Sequence, residues 1–103
     1  MSFKNSMRPV HPGEILRDEL EELGLSANAM AQALDVPANR ISAILKGQRG
    51  VTADTALRLS RFFGTTPQVW LNLQETYELR VAENTSGKQI ANSVKPWDAV
   101  ANA

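Results

Sequence analysis

Residues 26–50 read SANAMAQALDVPANRISAILKGQRG. Ser26 is a helix N-cap by type, and Met30, Ala31 and Leu34 follow at helical spacing as an inward stripe. A second helical rhythm begins at Pro37, a first-turn residue, buries Ile41, Ile44 and Leu45, and stops at Gly47. Two short helices joined by a tight turn, the second of them basic, suggest a helix-turn-helix. In that motif a small residue in the first helix lets the second cross closely, with apolar positions at fixed offsets from it. Taking Ala31 as the small residue places Met30, Leu34, Val36, Ile41 and Ile44 on those offsets, and all are apolar. One position departs from the pattern: Asp35 stands where a turn glycine is usual, and aspartate tolerates turn conformations nearly as well.

With Ile41, Ile44 and Leu45 inward, the second helix turns Ala38, Asn39, Ser42, Ala43 and Lys46 outward, with Arg40 at the edge. Such a face suits the major groove. Asparagine pairs bidentately with adenine and arginine with guanine, serine bonds either base edge, and Ala38 or Ala43 can pack on a thymine methyl. Lys46, Gln48 and Arg49 lie at or beyond the helix end in a loop suited to phosphates, and the N-terminal amides near Ser26 and Thr52 are further phosphate donors. A polar, basic helix face is more often merely solvated. Two features outweigh that reading here: the motif spacing, and the distribution of charge.

The formal net charge of the 103 residues is zero, but it is unevenly spread. From Pro12 to Asp35 one basic residue faces six acidic ones, whereas from Val36 to Thr66 five basic residues face only Asp54. The candidate reading helix therefore sits in a basic block, the arrangement expected of a nucleic-acid surface.

The remaining chain is equally helical in its punctuation. HPGEILRDELEELG places Pro12 and Glu14 in a first turn, carries Ile15, Leu16, Leu20 and Leu23 as an apolar stripe, and stops at Gly24. VTADTALRLSRFFG predicts a fourth helix from the Thr52 cap to Gly64, and Thr66–Pro67 opens a fifth that runs to Glu83. Beyond Glu83 the periodicity dissolves, and the sequence predicts a flexible tail with at most one helical turn. The expected organisation is an N-terminal arm (1–11), a helix-turn-helix DNA-binding and dimerisation domain (12–85) and a C-terminal tail (86–103). The chain has no cysteine, which excludes disulfides and thiolate chemistry, and no apolar run of membrane-spanning length, so a cytoplasmic protein is expected.

The order MRPVHPGEILRDEL, then LDVPANRISAILKGQRGVTADTALRLSRFFGTTPQVWLNLQ, strongly resembles the HigA (VapI-like) antitoxins, a branch of the xenobiotic-response-element class of helix-turn-helix proteins. The resemblance covers roughly residues 7 to 82. It implies an all-α, five-helix, lambda-repressor-like fold, and a homodimer that represses its own operon on a palindromic operator. It also implies the antitoxin role of a type II toxin–antitoxin module, neutralising a HigB-type, RelE-like mRNA-cleaving toxin. By this resemblance DNA contact is carried onto Asn39, Arg40 and Ser42, and backbone contact onto Arg49 and Thr52. A stand-alone repressor without a toxin partner is the alternative from the same fold.

Trp70, Leu71, Leu73 and Tyr77 on the fifth helix are candidates for a two-fold interface, since such a dimer must set its reading helices about 34 Å apart. The competing reading is that they complete the protomer's core. His11, the sole histidine, is expected to fix how the chain enters the first helix rather than to bind metal. Glu19, Glu21 and Glu22 lack a neighbouring nucleophile, base or cofactor loop, so neither an enzyme nor a cofactor is expected. Two surfaces compete for the toxin: the acidic first helix, by complementary charge, and the tail with Ile90, Val94 and Trp97 as apolar anchors.

Overall fold

The computed structural model describes residues 8–98 as five helices: α1 (Pro12–Leu23), α2 (Ala27–Leu34), α3 (Ala38–Leu45), α4 (Ala53–Phe63) and α5 (Pro67–Ser93). Local chemistry sets most of the ends. Ser26 and Thr52 accept the N–H groups of Ala29 and Thr55 as N-caps, while His11 caps α1 in a reciprocal box with Glu14. Pro37 caps α3 without a side-chain bond. At the other ends the chain turns left-handed at Gly24, Asp35, Gly47 and Gly64. Asp35 (φ 57°) is the one non-glycine residue with positive φ among those described, at the turn position the sequence assigns to it.

The motif register is reproduced in the packing. Met30, Ala31, Leu34, Ile41 and Ile44 are all buried, with Val36 packed at their margin. Leu16 and Leu20 of α1, Val51, Ala56 and Leu59 of α4 and its approach, and Trp70 of α5 complete one core. Ala31 lets α2 and α3 cross closely, and Gly13 does the same for α1 and α3: a Cβ there would collide with the Ile44 carbonyl. Leu23, expected on the α1 stripe, is exposed instead, in the last turn before Gly24.

The largest departure lies at the C-terminus. Instead of dissolving after Glu83, α5 continues to Ser93, its last turns projecting from a molecule 59 Å long and 29 by 23 Å across. No proline interrupts it before Pro96, and the polar residues turn their bonding capacity inward. Thr85 and Ser93 hydroxyls donate to the carbonyls of Val81 and Gln89, each at 2.7 Å. Residues 1–7 of the expected arm and 99–103 of the expected tail lie outside the described residues.

Candidate nucleic-acid interface

On α3, Ala38, Asn39 and Lys46 are exposed and Ser42 and Ala43 half-exposed, so the side opposite Ile41 and Ile44 is a shallow row of small and polar groups. Ser42 Oγ donates to the Asn39 carbonyl at 3.3 Å, a weak bond that leaves its lone pairs free. Below the helix lies a Schellman turn, in which Gly47 N–H bonds Ile44 O (3.0 Å) and Gln48 N–H bonds Ala43 O (2.9 Å). It carries the exposed side chains of Gln48 and Arg49 toward Thr52 and the start of α4.

This loop is held from beneath. Gln74 of α5 accepts the Val51 N–H at 2.8 Å, and Gly50 lies so near that a Cβ would press on the Gln74 amide. The buried His11 ring packs under Gly47 and edge-on against Tyr77, with centroids 4.9 Å apart. Its Nδ1 accepts the Gly13 N–H at 2.9 Å. Burial pushes the His11 pKa down, against the opposing pull of the Glu14 carboxylate and the Arg49 backbone. His11 therefore does set how α1 begins, and it also supports the loop after α3. Arg17 adds a bond from α1 to the Leu45 carbonyl (3.0 Å), tying down the end of α3.

Arg40 is placed differently from its neighbours. Its guanidinium turns toward α4, where Nη1 donates to Asp54 Oδ2 at 2.8 Å, and the side chain is only 23% exposed. The same oxygen accepts Arg58 Nε at 2.9 Å, and Arg58 Nη1 also bonds the carbonyls of Leu34 (2.9 Å) and Asp35 (3.1 Å). The two guanidinium groups, Arg58 first, hold the Asp54 carboxyl below its ordinary pKa. Ser26 and Thr52 have their hydroxyls engaged as caps, so what they set before a phosphate is chiefly the N–H donors of the first turns of α2 and α4.

The α5 candidates divide. Trp70, expected at a two-fold interface, is 4% exposed and stacks near Phe63 within the protomer's core. Proximity to α4 claims it, as the competing reading allowed. Leu71 and Leu73 pack partly against the same core, and Tyr77 is half-covered by His11. The apolar groups that α5 leaves open are Val69, Leu79, Val81 and Ile90, of which Leu79 is 65% exposed. Sequence reasoning missed Gln74, Arg58 and Leu79. The first two act through partners 23 or 24 residues away, which no local pattern marks. Among the described residues no cluster of acidic or histidine side chains could hold a metal, and no helix is long and apolar enough to cross a membrane.

Residues 16–70 match the helix-turn-helix family profile. Virulence-associated protein I of Dichelobacter nodosus is 54% identical over 94 residues, which cover 90% of this chain and 85% of that protein. An addiction module antidote protein of a HigA family from Coxiella burnetii superposes with a TM-score of 0.86 at 56% identity, over 87% of this chain and 99% of its own. The Pseudomonas aeruginosa antitoxin HigA, solved with the higBA promoter, gives 0.85 at 49% identity over the same shares.

Proposed function

The chain belongs to the HigA (VapI-like) branch of the helix-turn-helix family, one of DNA-binding regulators and not of enzymes, and on that premise we propose that it is a type II antitoxin. In this reading it binds the operator of its own operon as a homodimer and neutralises a HigB-type, RelE-like toxin by direct contact. The observation that carries the DNA half is the exposed row Ala38, Asn39, Ser42, Ala43 and Lys46 on a helix whose opposite side is fully buried, in a chain superposable on a promoter-bound relative.

The division of labour follows from geometry. Asn39, Ser42 and Lys46 meet base edges, Ala38 and Ala43 keep the helix low enough for them to reach, and Gln48, Arg49 and the α4 amides receive phosphates. His11, Gln74 and Arg17 are positioning residues that fix the loop and the helix end before DNA arrives. Pairing of two protomers through α5, at Leu71, Leu73 and Tyr77 with the open Val69 and Leu79 beside them, sets the spacing of the two reading helices.

The test is a titration against DNA from upstream of the gene at two salt concentrations. The wild type is expected to bind tightly and specifically. Asn39→Ala should lose about 1–3 kcal/mol on the operator alone, while Arg49→Ala weakens all DNA and lowers the salt slope by about one. Equal behaviour of wild type and Asn39→Ala on every sequence would remove the reading. For the antitoxin half, co-expression with a HigB-type toxin should relieve that toxin's toxicity and yield a complex on purification.

A further inference from the structure

We infer that Asp54 parks Arg40 away from DNA and releases it only to a matching base edge, so that it sets how much Arg40 adds to operator affinity; this rests on the DNA-binding reading above. The argument begins with the inequality of two arginines on one carboxylate oxygen. Arg58 makes three hydrogen bonds, one to Asp54 and two to the carbonyls that end α2, and stays where it is. Arg40 makes one, to Asp54, and leaves its Nε buried without a partner. Its parked state is therefore incompletely satisfied, and it is the one free to leave. When it does, Asp54 retains Arg58 and is not stranded as an unpaired charge.

Asp54 is also the sole acidic residue between Val36 and Thr66, standing 57% exposed in the first turn of α4, on the side where phosphates are expected. A charge placed there opposes DNA in general. On a random sequence Arg40 gains nothing by exchanging a carboxylate for a passing phosphate, so it remains paired. A guanine offers its N7 and O6 together and takes the guanidinium bidentately, which satisfies more of Arg40 than the parked state does. Arg40 then contributes only at the right half-site, and nonspecific affinity is held down in between. An arginine without such a partner would add to affinity everywhere.

The experiment measures operator and scrambled-DNA affinity at two salt concentrations for Asp54→Asn, Arg40→Gln and the double variant. Asparagine keeps an oxygen for Arg58 while removing the charge. Asp54→Asn is expected to raise operator affinity about tenfold, because Arg40 no longer gives up a charged partner to reach guanine, and to raise scrambled-DNA affinity by less, because a phosphate returns no more than the carboxylate held. The double variant should lose the operator's extra gain and keep the operator-to-scrambled ratio of Arg40→Gln. An equal rise on both DNAs would reduce Asp54 to general repulsion and overturn the inference, and an equal fall would make it a structural brace with the same effect. Should Asp54→Asn not fold, Arg40→Gln decides alone: it must weaken the operator and leave scrambled DNA unchanged, and loss on both overturns the idea. If the wild type has no operator preference, the DNA reading falls and takes this inference with it. A preference left intact by Asp54→Asn removes this inference only.

Discussion

Asp35 occupies a left-handed conformation (φ 57°, ψ 51°) that its Cβ makes unfavourable and that glycine adopts freely. Its carbonyl, not its carboxylate, receives Arg58, so removing the side chain costs no hydrogen bond. Asp35→Gly should raise stability by about 0.5 kcal/mol, a gain of about 2–4 °C in melting temperature, because relief of the left-handed strain slightly exceeds the added freedom of the unfolded chain. Asp35→Val, with a branched Cβ in the same conformation, should lose about 2 kcal/mol. Thermal melts of the two variants would part in opposite directions, and the same direction for both would disprove the strain. The motif register makes this residue legible in the sequence. His11 is legible only in part: its place before Pro12 marks it as a cap, while its burial under Gly47 and Tyr77 depends on packing. Its pKa is depressed below the ordinary 6.5, so the folded state resists a proton that the unfolded chain accepts. Stability is therefore fully present above 6.5 and declines as the pH falls through the folded value. A second proton would land on Nδ1, the atom that caps Gly13, and so break the cap as it forms. His11→Asn keeps a capping side chain without the titration, and its melting temperature should stay flat between pH 6.5 and about 5, above the carboxylate range, where that of the wild type declines.

Helices that bury a side announce themselves by period, and helices that bury nothing do not. α2 and α3 are legible because five apolar positions must fall at fixed offsets for the two to cross at Ala31. The distal turns of α5, from Asn84 to Ser93, carry no buried side chain, so no apolar period records them. No proline interrupts them, and the hydroxyls of Thr85 and Ser93 are spent on the carbonyls of the preceding turn, where they do not compete for backbone N–H groups. The ion pair of Arg40 with Asp54 was hidden for a related reason: it joins residues 14 apart that meet only once α3 and α4 are packed. A chain ending at Glu83 should accordingly lose helical circular dichroism for those ten residues while its stability changes by no more than about 0.5 kcal/mol, as for other surface changes. A larger loss, shrinking as the protein is diluted, would mean that Ile90 packs against a second protomer. Gln74→Ala acts on an element too, since it frees the Val51 N–H and with it the loop from Gln48 to Thr52. It should weaken operator and scrambled DNA alike, with the base preference of α3 retained, and a change in preference instead would place Gln74 in the reading of sequence.

Across the whole molecule the zero net charge conceals a division of labour between an acidic α1 and a basic unit of α3, α4 and the loop joining them. Asp18, Glu21 and Glu22 are exposed on α1 and make no salt bridge among the described residues, so they can be neutralised together without disturbing the core. Replacing them with Asn, Gln and Gln raises the net charge by three. If α1 faces away from DNA, the triple variant gains only a long-range attraction that is largely screened within about 8 Å at physiological salt. Its affinity should then rise slightly on all sequences, with the salt slope of log affinity unchanged, because the slope counts phosphates contacted and none is added. The same variant bears on the toxin. A basic, RNA-binding toxin steered to α1 by charge should associate more slowly with the triple variant, and the deficit should shrink as salt is added. A toxin anchored instead on Ile90, Val94 and Trp97 would associate with it as with the wild type, and would lose affinity on removal of residues 84–103. Association rates of these two variants, measured at low and high salt, separate the acidic face from the projecting helix, and a toxin indifferent to both changes would have to bind elsewhere on the molecule.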